Sequence, residues 1–320
     1  MSMTRCLIFT FALSMLGLAS ATAAGAHGLA GKRFFPSTIA IDDPFVSDEL
    51  TLPSILHIKR PASGDEPATR ETEISGELSK RITRFFGISL EGELAHLDPD
   101  NAPSKTGFGN LEVGLKWQAL TSEAHEALLS FGVGWEVGGT GRKATEAESF
   151  DVVTPSIFFG KGFGDLPDSL WILKPLALTG VTGLAIPTRS RTRTVTVDGD
   201  EVEEEIERHP HVLKWGFALE YSLQYLTSYV RDVGLPEFFR RMIPLVEVEL
   251  STPLDRGQAG RTTGTVNPGI IWAGRFFQVG VEAVVPINER TGKNVGVRAM
   301  LHFFLDDLFP TSYGRPLFGN

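Results

Sequence analysis

The chain has 320 residues, enough for one large domain or two ordinary ones. Its net charge of −9, from 39 acidic against 30 basic residues, argues against nucleic acid as a partner. With 42% hydrophobic residues and a mean hydropathy of +0.01, a helical membrane protein is excluded unless one segment carries about 18 or more apolar residues in a row.

The only candidate for such a segment is at the N-terminus. Arg5 precedes "CLIFTFALSMLGLA", and the small residues "SATAAGAHG" follow. A positive start, a short apolar centre and an A-x-A-like exit predict a signal peptide over residues 1–24, cleaved after Ala23 or Ala24. The chain's single cysteine, Cys6, falls inside it. The mature protein then has no disulfide, thiolate metal site or thiol nucleophile. Residues 25–49 are expected to form a periplasmic or plug segment, since "AGKRFFPSTIAIDDPFVSDEL" at 30–50 is less polar than a free tail.

From residue 50 onward the period is two. "ALLSFGVGWEVG" sets Ala127, Leu129, Phe131, Val133, Trp135 and Val137 against Leu128, Ser130, Gly132, Gly134, Glu136 and Gly138. "LEVGLKWQA" sets Leu111, Val113, Leu115, Trp117 and Ala119 against Glu112, Gly114, Lys116 and Gln118. Such alternation specifies strands. The runs last roughly 9 to 13 residues, longer than the usual soluble strand of about 5 or 6 and matching the about 9 to 11 needed to cross a bilayer. Turn punctuation predicts strands near 50–60, 71–81, 85–97, 107–119, 126–139, 149–162, 170–188, 209–228, 242–254, 263–274, 276–287 and 294–305. The expected fold is all-β: a transmembrane antiparallel up-and-down barrel of about twelve strands over 50–305, of the outer-membrane type. Residues 306–320 form a C-terminal tail.

In this arrangement one face of every strand meets lipid and the other lines a wet lumen, the reverse of a soluble lipocalin-like barrel. The lumen set is Glu91, Glu93, Glu112, Lys116, Glu136, Lys214, Glu220, Gln224, Glu247, Glu249, Glu282, Arg298 and His302. The lipid set includes Trp117, Phe131, Trp135, Phe217, Leu301 and Phe303. Leu301→Arg is then expected to cost about 2–4 kcal/mol at the midplane, and Met300→Arg much less. Links at one end are polar and mostly long, including 189–208. There the Asp198–Gly199 pair suits a two-residue turn that would set Arg189, Arg191 and Arg193 against Glu203, Glu205 and Glu207. Links at the other end are mostly short, apart from the one around Gly234, where "LPEFFRR" suits a short helix.

"TGFGNLEVGLKWQAL" at 106–120 resembles the G-x-G-[DN]-x-x-x-x-x-K-[YW] strand of an outer-membrane transporter family assigned to the phenol-degradation meta-pathway. Gly107, Gly109, Asn110, Lys116 and Trp117 carry the match, and "LAIPTRS" at 184–190 is similar to that family's later strand end. Asn110 replaces the more usual acid, and the glycine expected after Pro187 and Thr188 is absent. The resemblance implies a β-barrel that passes hydrophobic or aromatic compounds.

The lumen set holds more carboxylates than bases, and carboxylate rings favour cations in pores; the same groups also serve as cross-strand pairs that stiffen a narrow barrel. His209 and His211, two apart and near "DEVEEEIER", would chelate a metal if they shared a strand face, although an exposed acidic loop is the commoner arrangement. No metal or cofactor is expected. A barrel enzyme would need a nucleophile or acid beside a histidine, and His96 with Asp98 is the best available pair, so the chain is not read as an enzyme. The leading expectation is a channel or facilitator for small molecules in the outer membrane of a Gram-negative bacterium. The alternative is a non-conducting binding or structural barrel acting through its extracellular hairpin. Expected partners are outer-membrane lipid and lipopolysaccharide, the small-molecule solute, and the barrel-assembly machinery during insertion.

Overall fold

The computed structural model describes residues 28–62, 64, 67–198 and 201–319; the expected signal peptide lies outside them. Among the described residues, twelve antiparallel strands form one closed sheet: β1 (Glu49–Arg60), β2 (Thr69–Arg81), β3 (Phe86–Pro99), β4 (Lys105–Phe108 and Leu111–Ser122), β5 (Ala127–Val137), β6 (Val152–Gly162), β7 (Leu176–Pro187), β8 (Val212–Tyr221), β9 (Met242–Pro253), β10 (Thr263–Ala273), β11 (Phe277–Pro286) and β12 (Gly296–Phe304). Each strand pairs with its neighbour in sequence, and β12 closes on β1 through pairs such as Arg298↔Leu56 and Phe303↔Leu50. Closure removes both sheet edges, which a hydrocarbon environment requires.

The outer face is apolar in the way the alternation predicts. Trp117, Phe131, Trp135 and Phe217 are exposed on it, with Leu301 and Phe303 half-buried beside them. Phe86, Trp117 and Phe131 stack in a row at spacings of 6.1 and 6.0 Å. Phe238, Trp272 and Phe277 make a second row, at 6.2 and 5.5 Å, at the same end of the barrel, where both termini lie. Aromatic girdles of this kind mark the interface level of outer-membrane barrels.

Three local expectations are corrected. The seventh strand starts at Leu176, not 170, because a 3-10 turn occupies Asp168–Leu173. The eighth is Val212–Tyr221, not 209–228: Ser222 accepts a hydrogen bond from the Tyr225 N–H at 3.1 Å and caps a helical turn there. Gln224 therefore sits exposed on that turn, outside the barrel wall. In β4 the pairing shifts between Gln118 and Leu120, a bulge that gives Leu120, not Ala119, the outward position at 62% exposure.

At the end away from the termini, Arg191–Asp198 and Glu201–Arg208 form a separate two-stranded hairpin, here called the outer hairpin. Its register pairs Arg191 with Arg208 and Arg193 with Ile206, while Glu207, Glu205 and Glu203 face Thr192, Thr194 and Thr196. This Cα register, set by the pairing of Asp198 with Glu201, differs from the expected one. The link around Gly234 does contain the short helix, Glu237–Arg240.

Candidate functional site: a lumen entered by the N-terminal segment

The lumen is not simply wet. Residues 28–48 enter it from the termini end and return to start β1, and most of them are buried. A two-stranded turn, Leu29–Ala30 with Arg33–Phe34, sits at the mouth. Inward side chains from the wall then grip the segment. The Ile39 and Ala40 N–H groups donate to the two oxygens of Glu247 at 3.0 and 2.6 Å. Gln278 Nε2 donates to the Ser37 carbonyl at 2.6 Å, and the Val46 N–H donates to Gln118 Oε1 at 3.0 Å. Lys116 Nζ donates to the Asp43 carbonyl at 2.9 Å, and Ser130 donates to that of Pro44. His302 lies between Ser37 Oγ at 3.1 Å and Thr51 Oγ1 at 2.9 Å.

Packing completes the seat. Ile39 joins Ile243, Leu245, Ile271, Ala273 and Met300 in a buried apolar cluster inside the barrel. Phe35, Phe45 and Ala30 form another with Leu128 and Ala177. Several inward glycines are small because the segment passes over them: a Cβ on Gly280 would stand 2.7 Å from Ile39 Cδ1, and one on Gly216 2.8 Å from Ile41 Cγ2. Glycine mixed with charge on the inner face is thus a footprint of the plug as well as of water. One expectation falls here. Met300 is 4% exposed among aliphatic side chains, so Met300→Arg would bury an unpaired charge. It is expected to cost at least as much as the about 2–4 kcal/mol for Leu301→Arg, as urea unfolding of both variants in micelles would measure.

Beyond the plug, toward the outer hairpin, the lumen opens into a vestibule of about 680 Å³. Ala40, Ile41, Asp42, Phe45 and Val46 form its floor, and Glu91, Glu112, Lys116, Lys214 and Glu249 stand in its wall. Sequence reasoning missed Asp42, Glu49, Arg60 and Glu77, which also line it; Glu49 and Glu77 are strand residues on the inward face. A smaller space of about 190 Å³ lies beside the plug along β1, β2, β3 and β12, bounded by Ser37, Thr38, Thr51, Ser75 and His302. The two spaces share Asp42, Glu49, Glu77, Glu91 and Lys116.

The remaining inward residues are placed as follows. Arg298 pairs with Glu282 at 3.2 Å and Glu249 at 3.4 Å, and Asn267 Nδ2 donates to Glu282 at 3.2 Å. Glu220 is buried and accepts from Thr179 Oγ1 at 3.1 Å. Glu93 packs against Gly109, where β4 is interrupted. Glu136 accepts from Asn110 Nδ2 at 2.9 Å, and Asn110 Oδ1 accepts from the Gly141 N–H at 2.9 Å. An acid at 110 would set a carboxylate against Glu136, so the amide fits this chain's wall. His96 bonds Thr106 Oγ1 at 2.7 Å while Asp98 pairs with Arg70 at 3.3 Å; among the described residues the two do not bond one another. His209 and His211 lie between strands, not on a common face, and have different partners, with His211 Nδ1 2.6 Å from Asp255 Oδ2.

No family model matches the chain, and no curated protein matches it. Among solved structures, it is similar to an outer-membrane channel from Pseudomonas putida F1 at 12% identity and a TM-score of 0.50, covering 88% of this chain and 99% of that one. It is also similar to the KdgM porin, at 10% identity and a TM-score of 0.44, covering 79% and 98% respectively. The beta domain of the Bordetella autotransporter BrkA matches at 9% identity and a TM-score of 0.48, covering 81% and 99%. The fold is that of the outer-membrane β-barrels.

Proposed function

We propose that the protein is an outer-membrane channel for passive passage of small molecules, with its termini in the periplasm and the outer hairpin outside the cell. The observation that carries this reading is the pair of adjoining cavities. The vestibule adjoins a side space beside the plug, and the obstruction is a segment held by side chains. The vestibule wall and floor carry the acids Asp42, Glu49, Glu77, Glu91, Glu112 and Glu249 against the bases Arg60, Lys116 and Lys214. That surplus disfavours anions, so neutral or cationic solutes are the class it suits. Hydrophobic or aromatic solutes follow from the resemblance of 106–120 alone, and apolar contacts at Ile41, Phe45 and Phe158 would accept a ring.

Planar-bilayer recording under a salt gradient tests this. The expected result is a small conductance with a reversal potential on the cation side, shifted toward zero in Glu77→Gln/Glu91→Gln/Glu112→Gln. Anion preference would refute the electrostatic argument. A second reading, a non-conducting barrel that acts through the outer hairpin in contact with lipopolysaccharide or a ligand, is favoured by the closeness of the plug seat. It predicts no current and no defect in uptake of aromatic compounds by cells lacking the gene.

A further inference from the structure

The base of the outer hairpin gathers three groups from two segments far apart in sequence. Glu148 lies in the loop between β5 and β6, Glu207 is the penultimate residue of the hairpin's second strand, and His209 follows that strand. One ligand atom from each lies within 4.8 Å of the other two. We propose that these three residues bind a first-row divalent transition-metal ion of the zinc class.

The His209 ring carries the argument. It is only 7% exposed and packs on Phe150 with ring centres 4.4 Å apart. Its Nε2 is 3.0 Å from Thr192 Oγ1. With Nε2–H donating to that hydroxyl, the lone pair is left on Nδ1, which faces the carboxylates. Metal-binding histidines are oriented in this way, by a hydrogen bond from the nitrogen that does not bind the metal. Nδ1 makes no hydrogen bond among the described residues. Its nearest acid oxygen, Glu148 Oε1, stands at 3.7 Å, too far for a hydrogen bond. That spacing is close to the roughly 3.0–3.6 Å between two ligands bound at about 2.0–2.2 Å to one ion.

The acids are prepared for a cation. The Glu148 backbone is fixed on one side by its carbonyl, which accepts from the Gly139 N–H at 2.8 Å and from Asn110 Nδ2 at 2.9 Å. Imidazole with two carboxylates selects zinc-class ions over calcium or magnesium, which prefer all-oxygen sets. The ion would tie the hairpin, whose two strands pair with no other strand among the described residues, to the β5–β6 loop of the barrel. His211 is outside the set, since Asp255 already accepts from its ring and its backbone N–H.

Isothermal titration of the full protein in detergent with Zn²⁺ tests the site. One saturable equivalent is expected, uncompeted by Ca²⁺ or Mg²⁺. Affinity should fall at least about tenfold in His209→Asn and in Glu148→Gln, and about 10–100-fold in Thr192→Val, which removes only the orienting hydroxyl. His211→Asn should titrate like the unaltered protein. Because Thr192→Val and Glu148→Gln change no buried packing group, they keep the test open if His209→Asn fails to fold. The proposal is overturned by absence of saturable binding, by binding unchanged in both Glu148→Gln and Thr192→Val, or by loss in His211→Asn.

Discussion

A mature chain that starts at Asp48 is expected to conduct severalfold more current than the intact protein. The lumen of a barrel of about twelve strands lies between the side-chain-filled eight-strand barrels and the open sixteen-strand porins, and here residues 28–47 fill its termini half. Asp48 is retained because it pairs with Lys80 and Arg81 at 2.7 and 2.8 Å, where the C-terminal tail also docks through the Tyr313, Gly314 and Arg315 carbonyls. The same deletion should lower stability. Phe35, Ile39, Ile41 and Phe45 are all buried, and each such side chain contributes about 1.5–3 kcal/mol when removed from water. Ile243, Ile271 and Met300 would face an open pore without them. Single-channel recording and thermal unfolding in one detergent measure both effects. Unchanged conductance with lowered stability would mean that some other group closes the lumen.

Much of this could be read from the sequence, and the reason is geometric. Lipid on one side and a filled lumen on the other force opposite chemistry onto alternate residues, so strands such as Ala127–Val137 announce both their type and their facing. Length then separated a membrane barrel from a soluble sheet. Boundaries failed where a second local signal competed: "YSLQY" alternates like a strand, yet Ser222 is also a helix cap, and the cap prevails once the chain leaves the wall. The hairpin register was illegible because alternation along 191–208 does not fix which residues oppose one another across the two arms. The plug was half legible. Its apolar residues marked 30–50 as more than a tail, but nothing local shows that Glu247 would accept two backbone N–H groups from it, or that Gly216 and Gly280 leave room for Ile41 and Ile39. Those are contacts across about two hundred residues, and alternation carries no information about what occupies the inner face.

Removing the Glu126 carboxylate is expected to release the N-terminal segment from the mouth at the termini end. Arg33 is buried there, with its side chain 1% exposed, and its Nε donates to Glu126 Oε2 at 3.1 Å. Its other nitrogens donate to the Lys174 and Pro175 carbonyls, and its guanidinium lies 3.8 Å over the Tyr225 ring. Glu126 also accepts from Tyr225 Oη at 2.6 Å and from the Gly164 N–H at 3.0 Å. Glu126→Ala therefore strands one buried charge and two donors, a loss of about 3–5 kcal/mol for the broken pair. Arg33→Ala should cost less, since Glu126 keeps its other donors. Backbone conformation needs its own control, because Glu126 has φ of +48°, where any Cβ, of glutamate or of alanine, is strained. Glu126→Gly removes the charge without that strain, and it should release the segment as Glu126→Ala does. Release is read with a thiol at a plug position, Ser37→Cys, with Cys6, the one cysteine of the sequence, replaced by serine; Ser37 is 4% exposed when seated. Maleimide labelling should accelerate tenfold or more, about 1.4 kcal/mol for each factor of ten, in both glycine and alanine backgrounds. Acceleration with alanine alone would mean that relief of backbone strain by glycine outweighs the loss of the carboxylate. Slow labelling in both would show that the lumen contacts of Glu247, Gln278 and His302 hold the plug without the latch.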